Sequence, residues 1–266
     1  MSLVTTSREE LVERYEDAFR RFVELVHEVP PDTPLPKSEW TAGEVAVHVL
    51  SVYHRYNHRD FRSHEGLSPS VSALNQQNDR ELEALQGLSR LDVTDRLKQE
   101  SDAFLAQGLP VEDVYPFHLS QEIDGYGAYG NLLAELLVHG YDVAKAAGRP
   151  WPISNRDSLL ILNALVQISA GAIDTVATSS VDAIIELRPR GGNPQRLRIS
   201  HGSASVGDAS TIPGRADVIL GGPATPMMFN LFGRFGLVAS AVRGVGVRGG
   251  RRPWLALRIE GWIDRG

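Results

Sequence analysis

Cysteine is absent from the 266-residue sequence. Its absence excludes disulfide bonds, cysteine-ligated metal sites and a thiol nucleophile supplied by the protein itself. The sequence also has no window approaching the ~20 consecutive apolar residues that span a bilayer. Its first residues lack both the basic start and the apolar core of a secretory signal. We therefore expect a cytoplasmic protein with no membrane partner.

An excess of positive charge is also missing, since the formal net charge is −6 at pH 7. A dedicated nucleic-acid-binding protein usually presents a basic face, so we expect no nucleic-acid partner. The content of 42% hydrophobic and 23% charged residues is typical of globular proteins and not of disordered chains. The Gly-rich segment 243–252 is a local exception to the acidic composition, since it contains four arginines. We interpret it as a solvated basic loop.

The chain divides into two parts of different pattern. Helical spacing of apolar residues dominates the first part, whereas glycine and strand-like alternation become common in the second. We predict a bundle of four or five helices over residues 1–175 and a small α+β domain over residues 176–266. Capping boxes at Ser7–Glu10 and Thr41–Glu44 predict where the first two helices begin.

Short apolar runs predict the strands of the second part. They cover Val181–Leu187, Leu197–Ile199 and Asp217–Leu220, and a helix is expected from Pro223 to Phe232. Apolar residues alternate with more polar ones from Leu255 to Glu260, which predicts a half-buried final strand. This mixture of strands and a helix is the basis of the α+β assignment.

A carboxylate and an imidazole stand one helical turn apart at Glu135 and His139, in a Leu-rich stretch with little reason to bury either. Residues four apart on a helix differ by only about 40° in direction and about 6 Å in height, so both can reach one point. His48 borders the apolar face of the predicted second helix. Three such ligands with a vacant position are typical of a catalytic zinc site. The alternative is a solvated Glu135 and a hydrogen-bonded core histidine at 139.

His54 and His58 form another pair four residues apart, on the same predicted helix as His48. They point away from the apolar stripe of that helix, so spacing alone does not make them ligands of the same ion. We interpret them as surface histidines, and a second, weak metal site is the alternative.

Several segments resemble a known family. They include WTAGEVAVH at Trp40–His48 and ELLVHGYDVAKAAGRPWPI at Glu135–Ile153, of which the second is the more specific. Both are similar to segments of the mycothiol-dependent maleylpyruvate isomerases, and Ala216–Pro226 and Leu231–Gly236 are similar to that family's second domain. The resemblance covers nearly the whole chain. It implies a DinB-like helical bundle followed by a small domain similar to sterol carrier proteins.

The resemblance also implies a metal site, a cofactor and a reaction. In the family, a histidine on the second helix and a Glu-x-x-x-His motif bind zinc, and the matching positions here are His48, Glu135 and His139. The cofactor is the thiol mycothiol, which adds to a cis double bond of a small acid so that the bond can rotate. A stable thiol conjugate would instead make the protein an S-transferase. Nickel or another divalent ion could replace zinc.

Arginines that would serve this chemistry are suggested at two places. The family uses an arginine of its second domain, for which Arg234 and Arg248 are the candidates. The Arg-rich segment around Arg248 departs from the family's pattern, so the resemblance does not identify the substrate. Arg55 and Arg59 point in nearly the same direction as His48, so one of them is expected to face the cleft and bind mycothiol or an acidic substrate. The alternative for this pair is ordinary surface exposure.

Two further alternatives concern the surroundings of the metal. Asp142 either orients the imidazole of His139 or makes a surface contact one turn along the helix. In a different class of function, the metal is structural and the second domain carries a lipid or another small apolar ligand, with Gly221–Met228 lining a hydrophobic tunnel. An open coordination position that faces a cleft favours the enzyme, whereas a sealed site favours the carrier.

Overall fold

The computed structural model describes residues 2–36 and 38–264. Within them, the first part of the chain contains the helices α1 Arg8–Glu28, α2 Ala42–His58, α3 Val71–Ala84, α4 Arg90–Gln107, α5 Gly125–Ala146 and α6 Asn155–Ile168. An antiparallel hairpin, β1 Val114–Phe117 and β2 Gln121–Asp124, lies between α4 and α5 and was not predicted from the sequence. Among the described residues, none of the helices combines the length and the hydropathy of a membrane-spanning segment.

The second part contains a five-stranded sheet within the described residues. Its elements are β3 Asp182–Pro189, β4 Gln195–Ser200, β5 Ser203–Gly207, β6 Val218–Gly222, α7 Ala224–Leu231, α8 Leu237–Ala241 and β7 Gly246–Gly249. The strand order is β5-β4-β3-β6-β7, in which β3 and β6 are parallel and the other neighbours are antiparallel. A helical region followed by a small sheet-containing domain is the predicted architecture, which is confirmed. The predicted number of four or five helices is too low, because the described residues of the first part form six, with α3 and α4 as separate helices. The domain boundary at residue 175 stays a prediction.

The prediction of a final strand is wrong. The stretch from Leu255 to Ile259 lies within a 3₁₀ helix, Pro253–Trp262, and β7 is the strand that pairs with β6. Proline at the first helical position favours such a start. Leu255 and Ile259 pack against the core beside β3, whereas Leu257 is 78% exposed. Apolar residues four apart can face one side of a helical turn, so the short alternating pattern was ambiguous.

Polar caps determine where the first two helices begin. The Ser7 hydroxyl accepts a hydrogen bond from the Glu10 backbone N–H at 3.2 Å, but the Glu10 carboxylate turns away to pair with Arg156. The predicted capping box is therefore only half formed at α1. At α2 it is complete, since Thr41 N–H donates to the Glu44 carboxylate at 2.7 Å and Glu44 N–H donates to the Thr41 hydroxyl at 3.3 Å. This cap sets the start of α2, the helix that carries the candidate ligand His48.

The hydrophobic core joins the two parts of the chain. Met227, Met228 and Phe229 of α7 belong to the same buried cluster as the helices of the first part. Helix α7 packs mainly against α6, and the hydroxyl of its residue Thr225 accepts a hydrogen bond from the Ser158 hydroxyl at 2.9 Å. The second part is therefore anchored on the bundle through buried apolar side chains, which contribute roughly 1.5–3 kcal/mol each when fully buried.

A close approach between Gly140 and Trp151 orients the C-terminal half of α5. A methyl group at Gly140 would overlap the Trp151 ring. Trp151 Nε1 also donates to the Leu137 carbonyl at 2.9 Å, and the Arg21 guanidinium lies 4.6 Å from the centroid of the indole. Trp151 is thus a packing residue that contacts the turn of α5 next to His139.

Candidate metal centre

His48, Glu135 and His139 lie together between α2 and α5. Their ligand atoms are all within 4.8 Å of one another. The Oε2 atom of Glu135 lies 3.4 Å from His48 Nε2 and 3.2 Å from His139 Nε2. The three residues that the sequence indicated from two distant segments are therefore brought together around one point.

The geometry of this group suits a divalent cation. Metal–ligand bonds of 2.0–2.1 Å in a tetrahedron place neighbouring ligand atoms about 3.3 Å apart, which is close to both separations at Glu135. Among the described residues, Glu135 Oε2 and His48 Nδ1 are buried and have no hydrogen-bond partner of acceptable geometry. A buried carboxylate oxygen without a partner is costly, and a shared cation would remove that cost.

The electrostatics of Glu135 and His48 favour the protonation states in which these two residues act as ligands. Burial alone would raise the pKa of Glu135, but the imidazoles of His139 and His48 hold it well below its ordinary value. Burial lowers the pKa of His48, against the opposing pull of the Glu135 carboxylate. An ionised carboxylate and a neutral imidazole are the forms that bind metals. Trp40, whose ring centroid lies 4.9 Å from that of His48 and 6.3 Å from that of His139, packs over both rings.

A cavity of about 540 Å³ opens from the ligand group between α2, α3 and the β1–β2 hairpin, and His48 and Glu135 are part of its lining. Arg55 and Arg59 both line it. Arg55 is paired, since its Nε lies 3.2 Å from a Glu81 oxygen. Arg59 donates to the Pro116 carbonyl at 2.7 Å, and no described carboxylate lies within ion-pair distance of it. Its guanidinium lies 4.6 Å from the centroid of the Phe61 ring, and its buried Nε has no hydrogen-bond partner among the described residues, so the cavity offers a cation without a carboxylate partner.

His118 is a lining residue of the same cavity that the sequence did not indicate. It lies at the tip of the hairpin, where Leu119 and Ser120 have positive φ angles of 61° and 55°. Non-glycine residues in this region cost about 1–2 kcal/mol each, and here Ser68 holds the turn. The Ser68 N–H donates to His118 Nδ1 at 2.9 Å, and its carbonyl accepts from the Leu119 N–H at 2.7 Å. Burial, together with the charges of two nearby arginines, lowers the pKa of His118 to about 3.

A second cavity, of about 450 Å³, lies on the other side of the ligand group. It is lined by His139, Trp40, Asp142 and Arg234, among others. Arg234 comes from the loop after α7 and forms a salt bridge with Asp142, with Nη2–Oδ2 at 2.6 Å and Nε–Oδ2 at 3.1 Å. Asp142 therefore pairs with the second part of the chain, and neither of the two roles expected for it describes this contact. The candidate ligands thus sit between two cavities.

Comparison with known proteins identifies relatives of this chain. Residues 12–144, half of the chain, match the model of the mycothiol maleylpyruvate isomerase N-terminal domain. The chain belongs to the mycothiol maleylpyruvate isomerase family. Two crystal structures, of a mycothiol-dependent maleylpyruvate isomerase and of a point mutant of it, are similar in fold, with TM-scores of 0.50 and 0.52 at 12% identity. Each match covers 94% of this chain and 96% of the other. A comparison with curated proteins finds no match.

Arg234 and Arg248, the two candidates for the second-domain arginine, lie in different surroundings. Arg234 lines the cavity that contains His139. Arg248 is exposed on β7, donates to the Gly244 carbonyl at 2.6 Å and lines neither cavity. The structure therefore favours Arg234 over Arg248 as the arginine near the candidate ligands.

His54 and His58 lie on the outer side of α2, as expected from the helical pattern. Their side chains are 60% and 61% exposed, and both reach the rim of the first cavity. They do not join His48 in the ligand group.

The low pKa of His118 predicts a pH dependence of stability. Between pH 6.5 and about 3 the unfolded chain binds a proton at this residue and the folded chain does not, so stability falls as the pH falls. The slope from this residue is at most roughly 1.4 kcal/mol per pH unit. We expect the unfolding free energy of His118→Asn, measured by urea denaturation, to fall less steeply than that of the wild type as the pH is lowered from 6.5 to 4.5. Equal slopes would contradict the assignment.

Proposed function

We propose that this chain is a metal-dependent enzyme that uses mycothiol. Its reaction is either the cis–trans isomerisation of a maleylpyruvate-like acid or the transfer of mycothiol to an acceptor. The observation that carries the proposal is the convergence of His48, Glu135 and His139 on one point between two cavities. Membership of the mycothiol maleylpyruvate isomerase family supports the same cofactor and the same class of substrate.

The proposed metal is zinc or another divalent transition ion. Two imidazoles and a carboxylate suit zinc, and the same set also accepts nickel, so availability decides which ion is bound. A bound ion of this kind supplies Lewis-acid chemistry and stabilises the thiolate form of a thiol at its open coordination position. The absence of cysteine from the chain supports a cofactor as the source of the sulfur.

The chain's own residues would bind and orient the acid in the first cavity. Arg59 has no carboxylate partner among the described residues, so an acidic ligand would supply the missing charge. Arg55 is already held by Glu81 and by Asn78, whose Oδ1 accepts from Arg55 Nη2 at 3.0 Å, and is more suited to shaping the cavity wall. His118 accepts at Nδ1 and stays neutral at physiological pH, so Nε2 carries the proton and is a hydrogen-bond donor.

Arg234 is the proposed contribution of the second domain. Its salt bridge with Asp142 and a hydrogen bond from Nη1 to the Phe232 carbonyl hold the guanidinium beside the cavity of His139, where its remaining N–H groups would bind a carboxylate or the polar part of the thiol. This interaction would couple the second domain to the ligand-bearing turn of α5.

The carrier alternative has less support. Met227 and Met228 are buried in the main hydrophobic core, and Gly221–Met228 contributes no lining residue to the two cavities beside the candidate ligands. A tunnel through this segment would require the core contacts of α7 to open.

Metal analysis tests the ligand assignment. We expect the purified protein to hold about one tightly bound zinc or similar ion per chain, as in other three-ligand sites. His48→Ala, Glu135→Gln and His139→Ala should each lose this ion, measured by atomic emission after exhaustive dialysis. His27→Ala, at an exposed histidine near the end of α1, is the matched control and should keep it. Full retention by all three ligand variants would eliminate the site.

Ligand-induced stabilisation tests the cofactor and Arg59 together. Mycothiol at 100 times its dissociation constant should stabilise the zinc-loaded protein by about 2.7 kcal/mol, visible as a rise in Tm. Arg59→Ala should reduce the additional stabilisation by maleate, a cis dicarboxylate probe, whereas Arg62→Ala at an exposed neighbouring arginine should not. The absence of any Tm shift at millimolar mycothiol would remove this cofactor and leave the metal site intact.

Activity measurements distinguish the two arginines of the second domain. Arg234→Ala should lower kcat/KM by about tenfold or more, because a lost charge-assisted contact costs about 1.5–3 kcal/mol. Arg248→Ala, which is exposed on β7, should have the wild-type value. The assay is mycothiol-dependent turnover of maleylpyruvate or formation of a thiol conjugate, with metal content checked in each variant. Equal losses in both variants would contradict a specific role for Arg234.

A further inference from the structure

A second group of metal-binding side chains lies on the outer face of α2. His54 and His58 are one helical turn apart, and their ring centroids are separated by 4.0 Å. Glu100 of α4 lies beside both of them, and the ligand atoms of all three residues are within 4.8 Å of one another. The group shares no residue with His48, Glu135 and His139, and the function proposed above does not require it.

The distances within this group suit one shared cation. Glu100 Oε1 lies 3.0 Å from His54 Nδ1 and 3.7 Å from His58 Nε2. Neighbouring ligands of a tetrahedral ion are about 3.3 Å apart, so small rotations of exposed side chains would bring both nitrogens to the required separation. The imidazoles are well exposed, which makes such rotations inexpensive.

Glu100 is already oriented by a neighbour. Its second carboxylate oxygen accepts a hydrogen bond from Asn57 Nδ2, which also donates to the Glu100 carbonyl at 2.7 Å. Gln107 in turn donates to Asn57 Oδ1 at 2.6 Å. Hydrogen-bonded partners of this kind position metal-binding carboxylates in known sites. No described arginine or lysine lies within ion-pair distance of Glu100, and its Oε1 atom lies next to the two imidazoles.

We propose that His54, His58 and Glu100 form a second site for a divalent transition metal such as zinc, nickel or copper. Two imidazoles and one carboxylate favour these ions over magnesium and calcium, which prefer all-oxygen ligands. The remaining coordination positions face solvent, so the site is weaker than the buried one. Both histidines lie at the rim of the first cavity. A cation bound there would add positive charge to the cavity entrance and attract an acidic ligand.

Equilibrium dialysis of the full-length, tag-free protein against zinc alone, at pH 7.5, tests the proposal. The wild type should bind two ions per chain, the second more weakly. The double variant His54→Ala/His58→Ala should lose only the weaker ion, with a loss of affinity exceeding the 10–100-fold effect of an outer-shell change. His48→Ala should lose only the tighter ion, so the two sites fail independently. Magnesium in place of zinc should not bind at the weaker site.

Two controls keep the result specific. His27→Ala removes an exposed histidine outside both groups and should leave both binding events unchanged. Glu100→Gln keeps the shape of the third ligand but removes its charge, and it should weaken the second site while its circular dichroism spectrum matches that of the wild type. Uptake by the wild type of a single ion that the double variant retains, or uptake of two ions by the folded double variant, would overturn the proposal.

Discussion

The candidate site depends on one buried carboxylate, that of Glu135, which faces two imidazoles from different helices. Inside a protein such a group is stable only when its charge is compensated. The pKa of Glu135 is held low by the imidazoles in spite of its burial, so the negative charge persists and attracts a cation. The packing of α2 against α5 at this level of the bundle is therefore tied to the charge of one side chain.

Two packing features hold these helices in register. The complete capping box at Thr41 and Glu44 fixes the start of α2, so His48 faces the interior. The absence of a side chain at Gly140 lets Trp151 lie against α5, directly after His139. The ligands thus belong to rigid elements, which is the arrangement that metal sites require for a defined geometry. Other helix residues, such as Arg55 and Asp142, and loop residues, such as His118 and Arg234, supply further polar groups of the cavities.

The second domain takes part in the site through two contacts of different physical kind. Buried apolar side chains of α7 join the core of the bundle. Their burial stabilises the contact between the two parts of the chain, but the hydrophobic effect is not directional. The salt bridge between Arg234 and Asp142 is directional, because the planar guanidinium presents two donors to the carboxylate and so fixes the relative orientation of the two side chains. With 12% identity to structures of similar fold, the chain has kept this two-part architecture while most of its residues differ. In the proposed function, the few polar residues that line the cavities would select the substrate.

Local patterns in the sequence determined the helical part, the caps and the three candidate ligands, because helical periodicity and capping depend on residues within a few positions of one another. The same reasoning predicted exposed histidines at 54 and 58, but it misassigned the stretch from Leu255 to Ile259, where a short alternation fits more than one element. Tertiary structure alone decided that His118 reaches the cavity, that Arg59 lacks a carboxylate partner among the described residues, and that Asp142 pairs with Arg234. Those contacts join residues from 50 to 92 positions apart in the sequence, and no local pattern encodes which distant charges will meet.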